Sequence, residues 1–268
     1  IPQYPHLAMP PPVQRTSPSD QTIASYSVQV TSAVHADQSM QDIWSSAGLS
    51  VSGTKLGWYY HGNPLLQPKV LLLTHEQTGQ AIGTCSLGYR QMQFNGMPVM
   101  AANRCDLAVM TAHRGGQATP LLLDQVRTQG LTNAKLVYGF PNRRAQRSVA
   151  SAGFHKMGLL QTYTKVLNIK DWARSKLPPS WHPITKGWLG TINTAWQLSD
   201  WMRTEQVRGV TYKLTRPDDS FDELWHTQSE LQVLMGVRDQ SYLKWRFAPA
   251  IYPEVQFLVA YDQSDSAL

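Results

Sequence analysis

The stretch "AVMTAHRGGQATPLLLDQV", residues 108–126, decides the fold, because it combines a strand end, a basic turn with two adjacent glycines and the start of a helix. Leu121, Leu122 and Val126 recur at helical spacing after the turn. The first N–H groups of a helix lack partners and carry about half a positive charge, so this turn is a candidate anion site. An ordinary strand-to-helix turn is the alternative interpretation. A P-loop is excluded because neither GKS nor GKT follows.

The residues of the turn favour a phosphate as the anion. Gly115 and Gly116 let the backbone approach a phosphate closely, because glycine has no Cβ. His113 and Arg114 add positive charge at the same place. The turn is therefore interpreted as a possible phosphate cradle.

The composition of the 268 residues limits the class of protein. With 42% hydrophobic residues the chain can bury one or two ordinary cores, and its formal net charge of +6 predicts a surface that attracts anions. Cys85 and Cys105 lie in apolar, strand-like runs and are interpreted as reduced core thiols, which argues against a disulfide scaffold or a zinc site. No stretch approaches the ~20 apolar residues of a membrane helix, and no leader resembles a secretory signal, so a cytoplasmic protein is predicted.

The chain divides into four predicted segments. Residues 1–22 are a proline-rich, flexible leader, 23–170 form a first domain, 171–208 form a linker and 209–268 begin a second domain. The linker holds five tryptophans, which are expected to pack two bodies together: Trp172, Trp181, Trp188, Trp196 and Trp201.

The first domain opens with a strand and a helix. "SYSVQVTSAVH" predicts the strand, and "DQSMQDIWSSAGL" predicts a short helix that is capped by Asp37 or Ser39 and ends at Gly48. Three strands joined by glycine-containing hairpin turns follow: "KVLLLTH", "GQAIGTCSLGYRQMQF" and "MPVMAANRCDLAVM".

Helices and strands then alternate to the end of the first domain. The pattern predicts a helix over about 117–128, the strand "KLVYGF", a helix over about 142–151 and the strand "TYTKVLNI". An antiparallel meander followed by this alternation predicts an α+β or mixed α/β fold, with a sheet covered by helices.

An internal repeat links the two predicted domains. "WYYHGNPLLQPKVLLLT", residues 58–74, and "WRFAPAIYPEVQFLVAY", residues 245–261, share a Trp, an aromatic residue two positions later, a proline-containing loop and an apolar β-rich run. The second copy stops after its first strands, so the sequence predicts the start of an incomplete second lobe.

The turn and the helix after "YGFPN" together resemble a known family. The order of elements and the N-x-x-A-x(7)-G-F pattern from Asn142 to Phe154 resemble the GCN5-related N-acetyltransferases. "GWYYHGNPL", "YGFPN" and "YLKWRF" are closer to tandem-domain bacterial members, the group that includes the enhanced-intracellular-survival aminoglycoside acetyltransferases. The resemblance covers about residues 24–170, and 208–262 in part. It implies an α/β (α+β) fold with a mixed, mostly antiparallel sheet flanked by helices, followed by a partial second lobe.

The resemblance also implies a cosubstrate, acetyl-CoA. In the family the strand before the turn diverges from its neighbour, the pantetheine arm lies in the gap and the pyrophosphate binds backbone N–H groups of the turn. Carried over, Val109 and Thr111 would meet the pantetheine, and Asn142 would lie on the cofactor side. The pyrophosphate would bind Arg114, Gly115, Gly116, Gln117, Ala118 and Thr119. Arg143, Arg144 and Arg147 either meet the outer phosphates or form a solvated helix face.

The register of the turn stays open by one residue. If Gly116 and Ala118 are the family's G-x-A, then His113 replaces the usual Gln or Arg. If Arg114 and Gly115 are its R-G, then Gln117 replaces its central glycine.

Acetyl transfer to an amine requires a neutral nitrogen, a polarised thioester carbonyl and an acid for the departing thiolate. Asp106, at the beginning of the strand that leads to the turn, is the candidate base, and a bond to nearby backbone is its alternative role. Many family members place an acidic tyrosine four residues before the G-F glycine, where this chain has Val149. Tyr138 and Tyr163 are alternative acids, or else core residues.

Three functional hypotheses follow from the resemblance. The first is an acyl-CoA-dependent N-acetyltransferase that acts on a small amine or an amino sugar, with no metal, membrane or nucleic-acid partner. The second is a non-catalytic module of the same fold that binds CoA or a protein partner. The third is an aminoacyl transferase of the cell-wall precursor type, which would need a basic groove for tRNA.

Overall fold

The computed structural model describes residues 25–49, 53–161, 190–196, 210–229 and 233–263, together with positions 176, 178, 188, 198 and 199. Several predictions lie outside these residues: the leader, the strand "TYTKVLNI" with Tyr163, and Trp172, Trp181 and Trp201. No helix among the described residues is long and apolar enough to cross a membrane.

Up to residue 161, the described residues form five strands and four α-helices. In chain order they are β1 (Tyr26–Ser32), α1 (Ala33–Ser46), α2 (Gly53–Lys55, continued by a π-helical turn Leu56–His61), β2 (Lys69–His75), β3 (Gln80–Phe94), β4 (Met97–Val109), α3 (Ala118–Asn133), β5 (Leu136–Tyr138) and α4 (Gln146–Ser151). A short 3₁₀ turn, Thr111–His113, separates β4 from α3.

The strands form one mixed sheet in the order β1-β2-β3-β4-β5. The first three pairings are antiparallel, and β4 and β5 are parallel. The three predicted strands of the meander lie where alternation placed them, and the Asn95-Gly96 turn between β3 and β4 has both residues at positive φ, as a two-residue hairpin of this kind requires.

The helix boundaries differ from the prediction in two places. Helix α1 begins at Ala33, after the N-cap Ser32, four residues before the predicted cap Asp37. Its buried residues Ala33, Ala36 and Met40 follow helical spacing, so burial against the sheet extends the helix into the predicted strand. The predicted end at Gly48 is correct, because Gly48 has φ +73 and its N–H bonds to Ser45 O.

Helix α3 ends five residues later than predicted, at Asn133, and continues through Gly130. A Cβ at Gly130 would lie 2.5 Å from Val137 Cγ2. The glycine therefore allows α3 to pack closely on β5, which outweighs its low helix propensity.

The central sheet is covered on both faces. Leu71 and Leu73 of β2 pack toward α3, whereas Val70 and Leu72 pack toward α1 and the π-helical turn. Both cysteines are free thiols, and Cys85 is fully buried in the core. The sheet is thus a rigid support for the turn between β4 and α3.

The later part of the chain repeats the opening order of elements. Here β6 (Thr211–Thr215), α5 (Ser220–Ser229), α6 (Gln240–Arg246) and β8 (Phe257–Tyr261) follow one another, with the two-residue strand β7 (Met235–Gly236) between the helices. β6 and β8 pair antiparallel, as β1 and β2 do. β7 pairs antiparallel with the C-terminal end of β3, at Met92 and Gln93. We call Tyr26–His75 the first unit and Thr211–Tyr261 the second unit.

The structure describes two tryptophans of the predicted linker, Trp188, which is 79% exposed, and Trp196, which is 49% exposed. Contact between the two units is made by another pair, because Trp58 of the first unit and Trp245 of the second unit stack with ring centroids 5.5 Å apart. Each indole N–H donates a hydrogen bond to the backbone carbonyl of the other tryptophan. Trp58 Nε1 donates to Trp245 O at 2.6 Å, and Trp245 Nε1 donates to Trp58 O at 3.1 Å.

Candidate functional site

The turn after β4 presents open backbone. Val109 is buried at the strand end and Thr111 is exposed in the 3₁₀ turn. Arg114 folds back, and its Nε donates to Val109 O at 2.7 Å, which holds the turn against the strand. Gly115 has φ +87, and a Cβ placed on either Gly115 or Gly116 would meet no atom within 4 Å. Open space therefore lies beside these two residues.

The start of α3 lies next to this open space and lacks a side-chain cap, because Gln117 is the N-cap residue and its side chain makes no capping bond. The first intrahelical bond runs from Leu121 N–H to Gln117 O, so the N–H of the half-buried Thr119 lies ahead of the helical bonding pattern. Ala118 is fully buried beneath the turn and anchors it to the core. The helix N-terminus, with its partial positive charge, is suited to an anion.

β4 and β5 separate before β4 reaches the turn. Their last paired residues are Asn103 and Tyr138, and β4 continues without β5 to Val109. Arg104, the first residue past the pairing, is only 5% exposed, and its Nε has no hydrogen-bond partner among the described residues. A Cβ on Gly139 would lie 2.9 Å from Arg104 O, so glycine is required where the backbone after β5 leaves β4.

Asp106 occupies a β-bulge inside β4, and not the beginning of the strand as predicted. Ser86 pairs with Cys105 and Thr84 with Ala108, so β4 has one extra residue here, and Asp106 has φ +53. Because of the bulge, the consecutive residues Cys105 and Asp106 both line one cavity, although neighbours on a regular strand point to opposite faces.

The Asp106 carboxylate has two partners. Lys55 Nζ lies 2.6 Å from Oδ1 and Tyr60 Oη donates to Oδ2 at 2.5 Å. Tyr60 is fully buried, and its hydroxyl also lies 2.9 Å from Ser86 Oγ. The Asp106 side chain is 19% exposed and the Lys55 side chain 40%, so Oδ1 is reached from the cavity once Lys55 moves.

The cavity beside Asp106 has a volume of about 760 Å³ and mainly aromatic walls. It lies on the face of the sheet that carries Asn103 and Cys105, at the divergence of β4 and β5. Both units contribute to it. Its aromatic residues are Trp58, Tyr59, Tyr89, Tyr138, Phe140, Tyr242, Trp245 and Tyr252, and its charged residues are Lys55, Arg90, Asp106 and Arg246.

Two phenols of the cavity, Tyr59 and Tyr138, and the Cys105 thiol are held in their protonated forms. Burial raises the pKa of Tyr138, although the adjacent Arg90 partly lowers it. Burial and the neighbouring Cys105 raise the pKa of Tyr59, whose hydroxyl lies 3.2 Å from Cys105 Sγ. Burial and the nearby Asp106 raise the pKa of the Cys105 thiol. These groups can hold a proton near neutral pH, but the thiol is not an activated nucleophile.

Helix α4 and the turn before it contain the remaining predicted residues. Asn142 is exposed, and its Oδ1 accepts a hydrogen bond from Ala145 N–H at 3.0 Å, so its side chain caps this turn. The helix proper begins at Gln146 and stops before Gly153, which has φ +85. Val149 is the buried residue of this helix. Arg143, Arg144 and Arg147 are exposed.

Sequence reasoning missed most of the cavity. Lys55, Tyr60, Arg90 and Arg246 received no role, although "GWYYHGNPL" and "YLKWRF" were singled out as motifs. The available signal was the repeated tryptophan, because Trp58 and Trp245 belong to those two motifs and meet at the wall of the cavity. Tyr138, considered as an acid, does line the cavity.

Comparison of the sequence with family models gives no match, and comparison with curated proteins gives none. Among solved structures, the chain is similar to a conserved protein of unknown function from Enterococcus faecalis V583, described as a probable N-acyltransferase. The TM-score is 0.53 at 11% identity, and the alignment covers 91% of this chain and 53% of that one. The chain thus spans about half the length of that structure.

Two further similar structures align over nearly their own full length with about half of this chain. Glucosamine-6-phosphate N-acetyltransferase from Arabidopsis thaliana aligns with 52% of this chain and 98% of its own, at 14% identity and a TM-score of 0.37. An aminoglycoside acetyltransferase from an uncultured soil metagenomic sample aligns with 53% of this chain and 99% of its own, at 14% identity and a TM-score of 0.40.

The likeness to the Enterococcus structure concerns the fold. The predicted fold class, a mixed and mostly antiparallel sheet flanked by helices as in the GCN5-related N-acetyltransferases, is confirmed.

Proposed function

We propose that this chain is an acyl-CoA-dependent N-acyltransferase that transfers an acetyl group from acetyl-CoA to the primary amine of a small molecule or amino sugar. The observation that carries the proposal is the divergence of β4 from β5 after Asn103 and Tyr138. Beyond this point β4 carries Asp106, which lines the cavity together with Tyr138, and it ends at Val109, beside the open glycine turn.

The turn fits the pyrophosphate of acetyl-CoA. The space beside Gly115 and Gly116 is open, and the helix start at Gln117 has no side-chain cap that would compete for its donors. In the proposal the backbone from Arg114 to Thr119 holds the pyrophosphate, Val109 and Thr111 flank the pantetheine, and Asn142 borders the cofactor. When bound, acetyl-CoA supplies the thioester whose acetyl group the amine accepts.

Two side chains of the cavity are proposed to handle protons. Asp106 takes up the proton that the amine releases, at Oδ1, which Lys55 occupies in this structure. Tyr138 lies where β5 leaves β4, and its raised pKa keeps a proton on Oη for the departing thiolate. Tyr138 thus takes the place of the missing tyrosine at Val149, and the aromatic walls exclude water from the reacting groups.

Calorimetric titration of acetyl-CoA tests the proposal, with 3′-dephospho-CoA as the analogue that lacks the outer phosphate. Gly116→Val is expected to abolish binding, because the valine side chain would occupy the space proposed for the pyrophosphate. The fold is expected to stay intact, since a Cβ at this position meets no protein atom within 4 Å. Gly158→Val is the matched control, since Gly158 is also exposed with open space at its Cβ. Wild-type affinity in Gly116→Val, or no binding by the folded wild type, would overturn the proposal.

A non-catalytic CoA-binding module is the second candidate, and Val149 favours it. Val149 is 7% exposed and carries no proton, so the usual acid of the resembled family is missing. Mass spectrometry of an amine panel incubated with acetyl-CoA separates the two candidates. Acetylated product that disappears in Tyr138→Phe supports the enzyme, whereas tight CoA binding without product supports the module.

A further inference from the structure

We infer that the acceptor amine also carries an anionic group, a carboxylate or a phosphate, which Arg90 and Arg246 bind inside the aromatic cavity. The inference rests on the proposed function, because it names the class of molecule that the cavity accepts. Among the described residues that line the cavity, three side chains are basic and one is a carboxylate.

The single carboxylate is already engaged. Asp106 pairs with Lys55 through Oδ1 and with Tyr60 through Oδ2. Among the described residues, no carboxylate forms an ion pair with Arg90 or Arg246. Two guanidinium groups therefore face the cavity with their charge uncompensated by the described part of the chain, and buried or half-buried cations favour an anionic partner.

Arg90 is held in place by neutral groups. Its guanidinium carbon lies 4.5 Å from the ring centroid of Tyr242, and Nη2 donates to Val237 O at 3.4 Å. On the other side, a Cβ on Gly236 would lie 2.3 Å from the guanidinium carbon, so this glycine allows β7 to pack directly on it. Nε is buried without a hydrogen-bond partner among the described residues. Arg90 is thus oriented by stacking and by neutral hydrogen-bond partners, which include Tyr138, and none of these partners balances its charge.

Arg246 approaches from the second unit in the same manner. Its guanidinium carbon lies 5.1 Å from the Trp58 ring and 5.6 Å from the Tyr252 ring, and Nη1 donates to Tyr252 Oη at 3.2 Å. Arginine has five N–H donors, and its planar fork matches the geometry of carboxylate and phosphate oxygens. The Trp58 and Tyr252 rings beside the guanidinium offer an apolar surface to the body of the acceptor.

The experiment uses three amines that differ only in one group: 4-(aminomethyl)benzoate, 4-(aminomethyl)phenyl phosphate and the neutral 4-(aminomethyl)benzamide. Binding to the whole chain is measured by calorimetry and by quenching of tryptophan fluorescence, since Trp58 and Trp245 line the cavity. We expect the benzoate or the phosphate to bind at least about tenfold more tightly than the amide, and the preference to weaken with salt. The tighter of the two acids identifies the anion.

Variants locate the effect. Arg90→Gln and Arg246→Gln are each expected to reduce the preference for the acid about tenfold or more, while the exposed Arg216→Gln is the matched control. Arg90→Lys keeps the positive charge but loses the planar guanidinium. It replaces Arg90→Gln if that variant does not fold, and it is also expected to weaken the preference for the acid. Equal affinity for acid and amide, or a preference that survives loss of both arginines, would overturn the inference.

The acetyl-CoA titration separates this inference from the proposed function. If the wild type binds acetyl-CoA but shows no preference for acid over amide, only the acceptor class is wrong. If acetyl-CoA does not bind, the proposed function is wrong, and acid binding at Arg90 and Arg246 then marks a ligand site of another kind.

Discussion

β2 of the first unit and β8 of the second unit occupy corresponding places but have different surroundings. β2 has an apolar centre, "VLLL", within "KVLLLTH", and β8 is apolar throughout, as "FLVAY" shows. β2 is covered on both faces, with Leu71 against α3 and Leu72 against α1. β8 buries Val259 and Tyr261 on one face, whereas Leu258 on the other face is 66% exposed.

The difference teaches that an apolar strand acquires its stabilising role from the elements that cover it. The first unit is continued by β3, β4 and α3, which complete a two-sided core. The second unit has a smaller core of Phe221, Leu243, Val259 and Tyr261. Its contribution to the proposed site is to place Trp245 and Arg246 against the first unit.

Equivalent leucines give the largest expected difference between the units. Leu71→Ala removes a fully buried side chain and is expected to lower the free energy of unfolding by about 3–5 kcal/mol. Leu258→Ala is expected to change it by less than about 0.5 kcal/mol, because the side chain is already exposed. Urea unfolding of both variants measures the difference. A cost above about 1.5 kcal/mol for Leu258→Ala would break the comparison.

High pH offers a second way to examine the buried sheet. Burial raises the pKa of the Cys85 thiol from 9.0 to about 12, so the thiol stays protonated in the folded protein while it ionises in the unfolded chain. The unfolded chain then binds fewer protons, and the free energy of unfolding falls above pH 9, with no contribution below it. Cys85→Ala is expected to reduce this fall by about 1.4 kcal/mol per pH unit between pH 9 and 12.

Urea unfolding at intervals from pH 8 to 10.5 measures that slope. Leu258→Ala serves as the control and should keep the wild-type slope, since it lies outside the buried sheet. If Cys85→Ala also keeps the wild-type slope, the thiol is not shielded from water as the structure indicates.

The contact between the units gives the smallest expected effect. Trp58→Phe and Trp245→Phe each keep a ring but lose an indole N–H, so each leaves one carbonyl without its donor. In a double-mutant cycle the coupling is expected to be about 0.5–1.5 kcal/mol. Trp196→Phe, at an exposed indole, is the control. Strictly additive effects would mean that the stacked pair does not couple the two units.

Local pattern predicted the strands and turns of the first part well. β2, β3 and β4 follow from alternation and apolar runs, and Asn95-Gly96 follows from the φ that its turn needs. The beginning of α1 and the length of α3 were wrong, because burial against the sheet extends α1 and the close contact of Gly130 with Val137 supports α3.

The candidate site was predictable only where its residues are neighbours in the chain. The turn from Arg114 to Thr119 is one continuous segment, and a resemblance to a family was enough to single it out. Asp106 was singled out as well, but its bonds to Lys55 and Tyr60 join positions 51 and 46 residues apart. Spacing in the sequence contains no signal for such contacts.

The sequence by itself determined the strand-turn-helix at 108–126, the hairpins before it and the repeated tryptophan motif, since these depend on periodicity and on backbone conformations that few residues adopt. The tertiary structure decided which of those features meet. Only folding brings Trp58 to Trp245 and places Arg90 and Arg246 in one cavity with Asp106. The physical reason is that burial and charge pairing depend on neighbours in space, which here lie up to 187 residues apart in the chain.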